Sequence, residues 1–159
     1  MDRPIAVFAA AELDEHVGPR GHPERPGRLD ASLAGIEAAD LVEAVRFETP
    51  RHASIGELEL VHAAHHVERI EAFCTTGGGA IDGDTYAVPG SWATACRAAG
   101  AVLDAVGALD RGDADLAFAA SRPPGHHAVA DRAMGFCLFN NVAVAAGALA
   151  AQGERVAIV

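Results

Sequence analysis

A chain of 159 residues with a formal net charge of −10, and with no lysine among its 12 basic residues, lacks the clustered cations that clamp a phosphate backbone, which argues against direct binding to nucleic acid or an anionic membrane. Half of the residues are hydrophobic but only 5% are aromatic, a balance that favours alanine-rich helices packed on a sheet, in one domain over residues 1–159, rather than a β-sandwich. Cys74, Cys96 and Cys137 form no CxxC pair and read as reduced thiols. The apolar run after Pro4 is too short for a signal peptide and no stretch approaches the length of a membrane span, so the expected location is cytoplasmic.

Ile5 to Ala10 reads as a short buried strand, followed by a polar, Pro- and Gly-rich loop from Glu12 to Gly27. A helix is predicted from about Pro26, with Leu29, Leu33, Ile36 and Leu41 recurring on one face. Val45 to Glu48 is a second strand, ended by Pro50. Ser54, with Glu57 three residues on, predicts a capping box on a short helix through Leu60, and a further helix runs from His65 to Phe73. Gly77-Gly78-Gly79 and Asp82-Gly83-Asp84 read as a flexible surface loop. Ser91 is expected to cap a long helix that keeps Trp92, Cys96, Ala99, Val102 or Leu103, Val106 and Leu109 on one face. Leu116 to Ala120 is a clear buried strand, Asn141 to Ala151 an alanine-rich helix stopped at Gly153, and Arg155 to Val159 the next strand. Continuous apolar strands alternating with helices predict an α/β fold, a three-layer α-β-α arrangement whose mainly parallel sheet is covered on both faces.

The run Arg122-Pro123-Pro124-Gly125-His126-His127-Ala128 follows the Leu116 to Ala120 strand directly. In open parallel sheets the functional loops lie beyond the carboxyl ends of the strands. The two prolines fix their φ angles and Gly125 has access to conformations closed to other residues, so the histidines ride on a stiff turn. Each imidazole brings one donor and one acceptor that need partners, which a catalytic pocket supplies. The plainer reading leaves one ring on a carbonyl and the other in water. His62, His65 and His66 form a second histidine group with helical spacing; no Glu follows His62 as in a metalloprotease helix, and the group is set aside as a metal site.

From Asp115 to Val159, RPPGHHA followed by MGFCLFNNVAVAA resembles the zinc-dependent deacetylases of the histone deacetylase and acetylpolyamine amidohydrolase superfamily, above all their class II-like bacterial branch. HPERPGRL at His22 to Leu29, LVHAAHHVERI at Leu60 to Ile70 and DTYAVPGSW at Asp84 to Trp92 extend the resemblance over most of the chain. It implies an arginase/deacetylase-like fold with a parallel sheet of about eight strands, and hydrolysis of acetylated lysine or an acetylated polyamine with Zn2+ polarising the acetyl carbonyl and activating a water. By the same resemblance His127 is the general base and acid and His126 its hydrogen-bonded electrostatic partner, roles that suit a group exchanging protons near neutral pH. The Gly135 carbonyl accepts the substrate amide proton, Phe136 forms one wall of the acyl-lysine tunnel, Asp84 accepts substrate backbone amides at the rim, and Arg28 stands beside an internal channel through which acetate leaves. The plainer alternatives are a core aromatic for Phe136, a solvated turn aspartate for Asp84 and a helix-surface charge for Arg28. Cys137 reads as a small buried hydrophobe rather than a nucleophile.

In the superfamily, a segment of the form Asp-x-Asp-x-His-His follows the strand that matches Arg155 to Val159 and carries two zinc ligands; a third aspartate and an oxyanion-stabilising tyrosine come later. No metal ligand is therefore assigned within these residues, and the expectation is an N-terminal portion, incomplete at the C-terminus and catalytically incomplete. Its last strand leaves an open edge that invites aggregation, a partner or oligomer formation. The competing reading is a non-catalytic, deacetylase-like protein that binds a partner through that edge.

Overall fold

Three parallel strands, β1 (Ile5–Phe8), β2 (Val45–Glu48) and β5 (Leu116–Ala119), form a sheet in the order β2-β1-β5, with Val7 in register with both Phe47 and Phe118. The computed structural model describes residues 4–41 and 43–159. Helix α1 (Gly27–Ala38) makes the crossover from β1 to β2, and α2 (Ile55–Leu58), α3 (Ala64–Thr75) and α4 (Ser91–Asp110) lead from β2 to β5. A two-stranded antiparallel hairpin, β3 (Gly79–Ala80) with β4 (Tyr86–Ala87), interrupts that path, and α5 (Asn141–Ala151) follows the tandem-histidine turn. No helix among the described residues is long and apolar enough to cross a membrane.

Helix α4 is the centre of the core, and its composition explains why. Ala101, Ala105 and Ala108 pack on Ala6 and Phe8 of the sheet, while Ala95, Cys96, Ala99 and Leu103 pack on Val67, Ile70 and Cys74 of α3 and Val144 and Ala145 of α5. Small side chains let one helix be buried on two sides at once, at interior packing density. The single apolar stripe expected of this helix is thus two opposed ones, and Leu109, placed on that stripe, is exposed near the last turn.

Several local expectations hold. Ser54 and Glu57 form the capping box of α2, each satisfying an amide of the other's turn. The helix expected over Asn141 to Ala151 is α5, and Asn140 caps it by accepting the Ala143 amide at 3.0 Å. Others are corrected. Gly90, not Ser91, holds the N-cap of α4, because the Ser91 hydroxyl is already committed to the Val88 amide (2.8 Å) and to Nδ1 of His16 (2.7 Å). The Asp82-Gly83-Asp84 stretch is an ordered hairpin turn rather than a flexible loop, since Asp82 Oδ1 accepts the amides of Asp84 (3.0 Å) and Thr85 (2.7 Å). Leu41 lies beyond the end of α1 and is exposed.

The sheet is less evenly covered than its sequence implies. On one face α4 covers β1 and β5, but on the other face α1 buries only Leu29, and one helix over three strands leaves clefts on both flanks, one lined by Val45 and Phe47 and the other by Phe118. Leu116 and Phe118 of β5, expected to be buried, are 62% and 48% exposed. Arg155 to Val159, expected as the next strand, has no regular structure, is exposed and joins no ladder; β-propensity supplies a strand only where a neighbour's amides and carbonyls meet it.

Candidate active site

Beyond the end of β5 the Ala120 amide donates to Phe8 O (3.0 Å), and the next turn is anchored from below by a buried guanidinium. Arg122 donates through Nε to Glu24 Oε1 (2.7 Å) and through Nη2 to Glu24 Oε2, a bidentate pair; Nη1 reaches Asp14 Oδ2 and Nη2 also donates to the His16 carbonyl (3.0 Å). All three charged side chains are buried. His16 closes the cluster from the side, stacked on Tyr86 with centroids 4.5 Å apart, and burial lowers its pKa to about 4, so the ring is neutral. Tyr86 donates its hydroxyl to Glu24 O (3.1 Å), tying β4 to the same cluster.

On this foot stands the tandem-histidine turn. Gly125 is a steric requirement, because a Cβ there would lie 2.2 Å from Asn141 Cγ. The amides of His126 and His127 both donate to the buried Cys137 sulfur at 3.4 Å, and the thiol in turn faces Gly135 O at 3.3 Å. Cys137 is therefore a polar anchor for the turn as well as the small buried residue its sequence context implies. Both imidazoles are exposed, with centroids 4.1 Å apart.

Gly135 and Phe136 are the central residues of a tight reversal bridged by Met134 and Cys137, and both have positive φ, +58° and +69°. That is the pattern of a type I′ turn, in which a bulky second residue costs about 1–2 kcal/mol. A Cβ at Gly135 would come within 2.8 Å of the His127 side chain, so the glycine is what lets the two segments touch. Asp82, Gly83, Asp84, His127, Met134 and Gly135 line one open cleft.

The structure thus brings Asp84, His127 and Gly135 together. Phe136 follows Gly135 in the turn but is not among the residues that line this cleft; its ring packs edge-on against His22 at 5.3 Å. Arg28 is apart from them: it lines a different cleft with Arg122 and Pro124, its side chain 53% exposed and 3.6 Å from Glu24 Oε1.

His62 and His66, set aside as metal ligands, have every ring nitrogen engaged. His62 Nδ1 donates to Val129 O (3.1 Å) and Nε2 accepts the Asn140 amide (2.9 Å); His66 Nε2 donates to Leu138 O (3.0 Å) and Nδ1 accepts from Arg69 (3.0 Å). Burial lowers both pKa values, which keeps the rings neutral and able to accept. With Ala63, whose amide donates to Ala130 O (2.8 Å), they hold the loop that carries Gly135 and Phe136. Sequence reasoning missed this supporting role, and it missed the Asp14, His16, Glu24 and Arg122 cluster altogether. The available signal for the cluster was an acid between prolines at Pro23-Glu24-Arg25-Pro26 and an arginine opening the Pro-Pro-Gly turn.

His127, beyond the carboxyl end of a strand in a parallel sheet, thus shares one cleft with Asp84 and Gly135. The family described as "Histone deacetylase domain" matches residues 22–159. A probable deacetylase of Methanothermobacter thermautotrophicus is 47% identical over 142 residues, covering 89% of this chain and 41% of that protein. A histone deacetylase-like amidohydrolase of Pseudomonas aeruginosa is 39% identical over 140 residues, covering 87% and 37%. Among solved structures, that of the HDA15 HD domain superposes with a TM-score of 0.83 at 35% identity, over 96% of this chain and 44% of that one. The chain belongs to the histone deacetylase family, and it spans about two fifths of the length of these curated relatives.

Proposed function

We propose that this chain supplies the proton-handling and substrate-orienting part of a zinc-dependent hydrolase that removes acetyl groups from acetyl-lysine or a related acetylated amine, an acetylated polyamine included. The observation that carries the proposal is the single cleft shared by Asp84, His127 and Gly135. His127 takes a proton from the attacking water and returns it to the departing amine, with His126 at 4.1 Å as its electrostatic partner. The Gly135 carbonyl receives the substrate N–H, Phe136 flanks the acyl chain, and Asp84 receives backbone amides at the rim. Arg28, beside the cleft behind the turn, takes the role of guiding acetate away. The net charge of −10 is compatible with cationic amines as products.

Zinc, when bound, polarises the acetyl carbonyl. Among the described residues no group of three histidine, cysteine or acidic side chains could hold a metal ion, so the proposal assigns zinc to side chains other than these and expects no turnover from this segment alone. The cytoplasm is the proposed compartment, in keeping with three buried free thiols.

The test is hydrolysis of an acetyl-lysine peptide and of an acetylated polyamine by the whole protein that carries this segment, with zinc present. His127→Ala is expected to lower kcat by about 10²–10⁴-fold, with chelation abolishing turnover; unchanged turnover in the variant would remove His127 from the proposal. A second reading, a non-catalytic chain that binds a partner through its sheet, is favoured by the exposure of Leu116 and Phe118. It predicts binding that survives chelation and is lost on Phe118→Asp.

A further inference from the structure

Thr85, 1% exposed, ends the turn between β3 and β4. Its backbone is fixed on both sides: the amide donates to Asp82 Oδ1 at 2.7 Å and the carbonyl accepts the Ile81 amide at 2.7 Å. The hydroxyl is left to make two contacts of opposite sense. It accepts the Phe136 amide at 3.1 Å and donates to Asp84 Oδ1 at 3.0 Å.

Amide, hydroxyl and carboxylate therefore stand in series. A carboxylate acceptor polarises the hydroxyl that donates to it, and a polarised hydroxyl accepts more strongly from the amide behind it. The amide in question belongs to Phe136, a bulky residue at φ +69°, and strained turns persist only where their surroundings over-determine them. The bonds between Met134 and Cys137 close the turn on itself; the bond to Thr85 joins it to the hairpin 51 residues away.

We infer that Thr85 is a positioning residue that couples the Asp84 carboxylate to the backbone of Phe136, so that a donor engaging Asp84 at the rim alters the turn carrying Gly135 and Phe136. The roles of Asp84 and Phe136 toward substrate rest on the proposed function; the coupling rests on the three-group series alone. Two parts of one cleft that come from separate elements are thereby made to move together.

The experiment follows hydrogen exchange of the Phe136 amide by NMR in the full chain, in three single variants and in one double variant. Thr85→Val keeps shape and removes both contacts, and exchange accelerates by about tenfold, the upper range for one lost hydrogen bond. Thr85→Ser restores the hydroxyl and stays within about threefold of the unmodified chain. Asp84→Asn weakens the polarising acceptor and accelerates exchange by about threefold, and adding it to Thr85→Val produces no further change. Exchange that is unaltered in Thr85→Val, or an Asp84→Asn effect that persists in full in the double variant, overturns the coupling; so does failure of Thr85→Ser to restore protection. The assay of the acetyl-lysine peptide with and without His127→Ala is run alongside. Absence of His127-dependent hydrolysis with the exchange pattern as expected sinks the functional reading and leaves the coupling, whereas hydrolysis with unaltered exchange does the reverse.

Discussion

The two sides of the Arg122 to His127 turn are built on opposite principles. Behind it, Asp14, Glu24, Arg122 and His16 are buried and pair only with one another and with nearby polar groups. In front of it, His126 and His127 are exposed, and what fixes them is their backbone: two amides on the Cys137 sulfur and a glycine at 135 that admits the His127 side chain. The charged side contributes conformational definition and the open side contributes groups free to meet a ligand. Paired buried charges make a poor source of net stability but a strong penalty against any arrangement that separates them, which is a useful property beneath a turn that carries exposed histidines.

Arg122→Ala is the most severe way to break that comparison. It leaves the Glu24 carboxylate buried with only the half-exposed Arg28 guanidinium as a cation, and the expected cost is about 3–5 kcal/mol of unfolding free energy. His127→Ala, on the exposed side, should cost under about 0.5 kcal/mol. Urea unfolding of both variants checks the contrast, and equal losses would mean that the two sides are not distinct.

The next effect is a pH dependence that His16 on the buried side carries in part. Burial lowers the His16 pKa from 6.5 to about 4, against the partial opposition of Glu24 and with the help of Arg122 and His22. An unfolded chain takes up this proton near pH 6.5 and the folded chain does not, so stability is full above pH 6.5 and falls as pH drops toward 4. The shift corresponds to about 3 kcal/mol at most. His62 and His66, also lowered chiefly by burial, act in the same direction. Urea midpoints at pH 7 and 4.5 should therefore differ, and His16→Gln should shrink the difference without removing it. A slope identical in that variant would mean that His16 takes no part.

What the sequence made legible, and what it did not, follows the same division. The tandem histidines, Gly135 and Asp84 sit in runs whose order alone carries the family resemblance, and the structure gathers His127, Gly135 and Asp84 round one cleft. The capping box at Ser54 was legible because both partners lie within four residues. The Arg122 pairs to Glu24 and Asp14 span 98 and 108 residues, and no periodicity reports a contact at such range. Ser91 misled for a related reason: local propensity made it a cap, and a ring 75 residues away claimed its hydroxyl. Leu116 and Phe118 misled because an apolar run states that a strand can be covered, while the covering element is chosen by tertiary structure.

Arg28 gives a small effect and the sharpest boundary between the two sides. Its guanidinium lies 3.6 Å from Glu24 Oε1, beyond hydrogen-bond distance, and more than half of its side chain meets water. Formal charge would place it in the cluster, since Asp14, Glu24 and Arg122 together leave one negative charge that Arg28 balances. Solvent screening argues otherwise, for an exposed pair is worth about 0–1 kcal/mol. Arg28→Ala should therefore lower stability by less than about 1 kcal/mol while slowing steady-state turnover of the whole protein if acetate leaves past it. A loss approaching that of Arg122→Ala would instead make Arg28 the fifth member of the buried network. Its exposure would then be a poor guide to the field it experiences, and the cleft behind the turn would be a structural seam instead of an exit path.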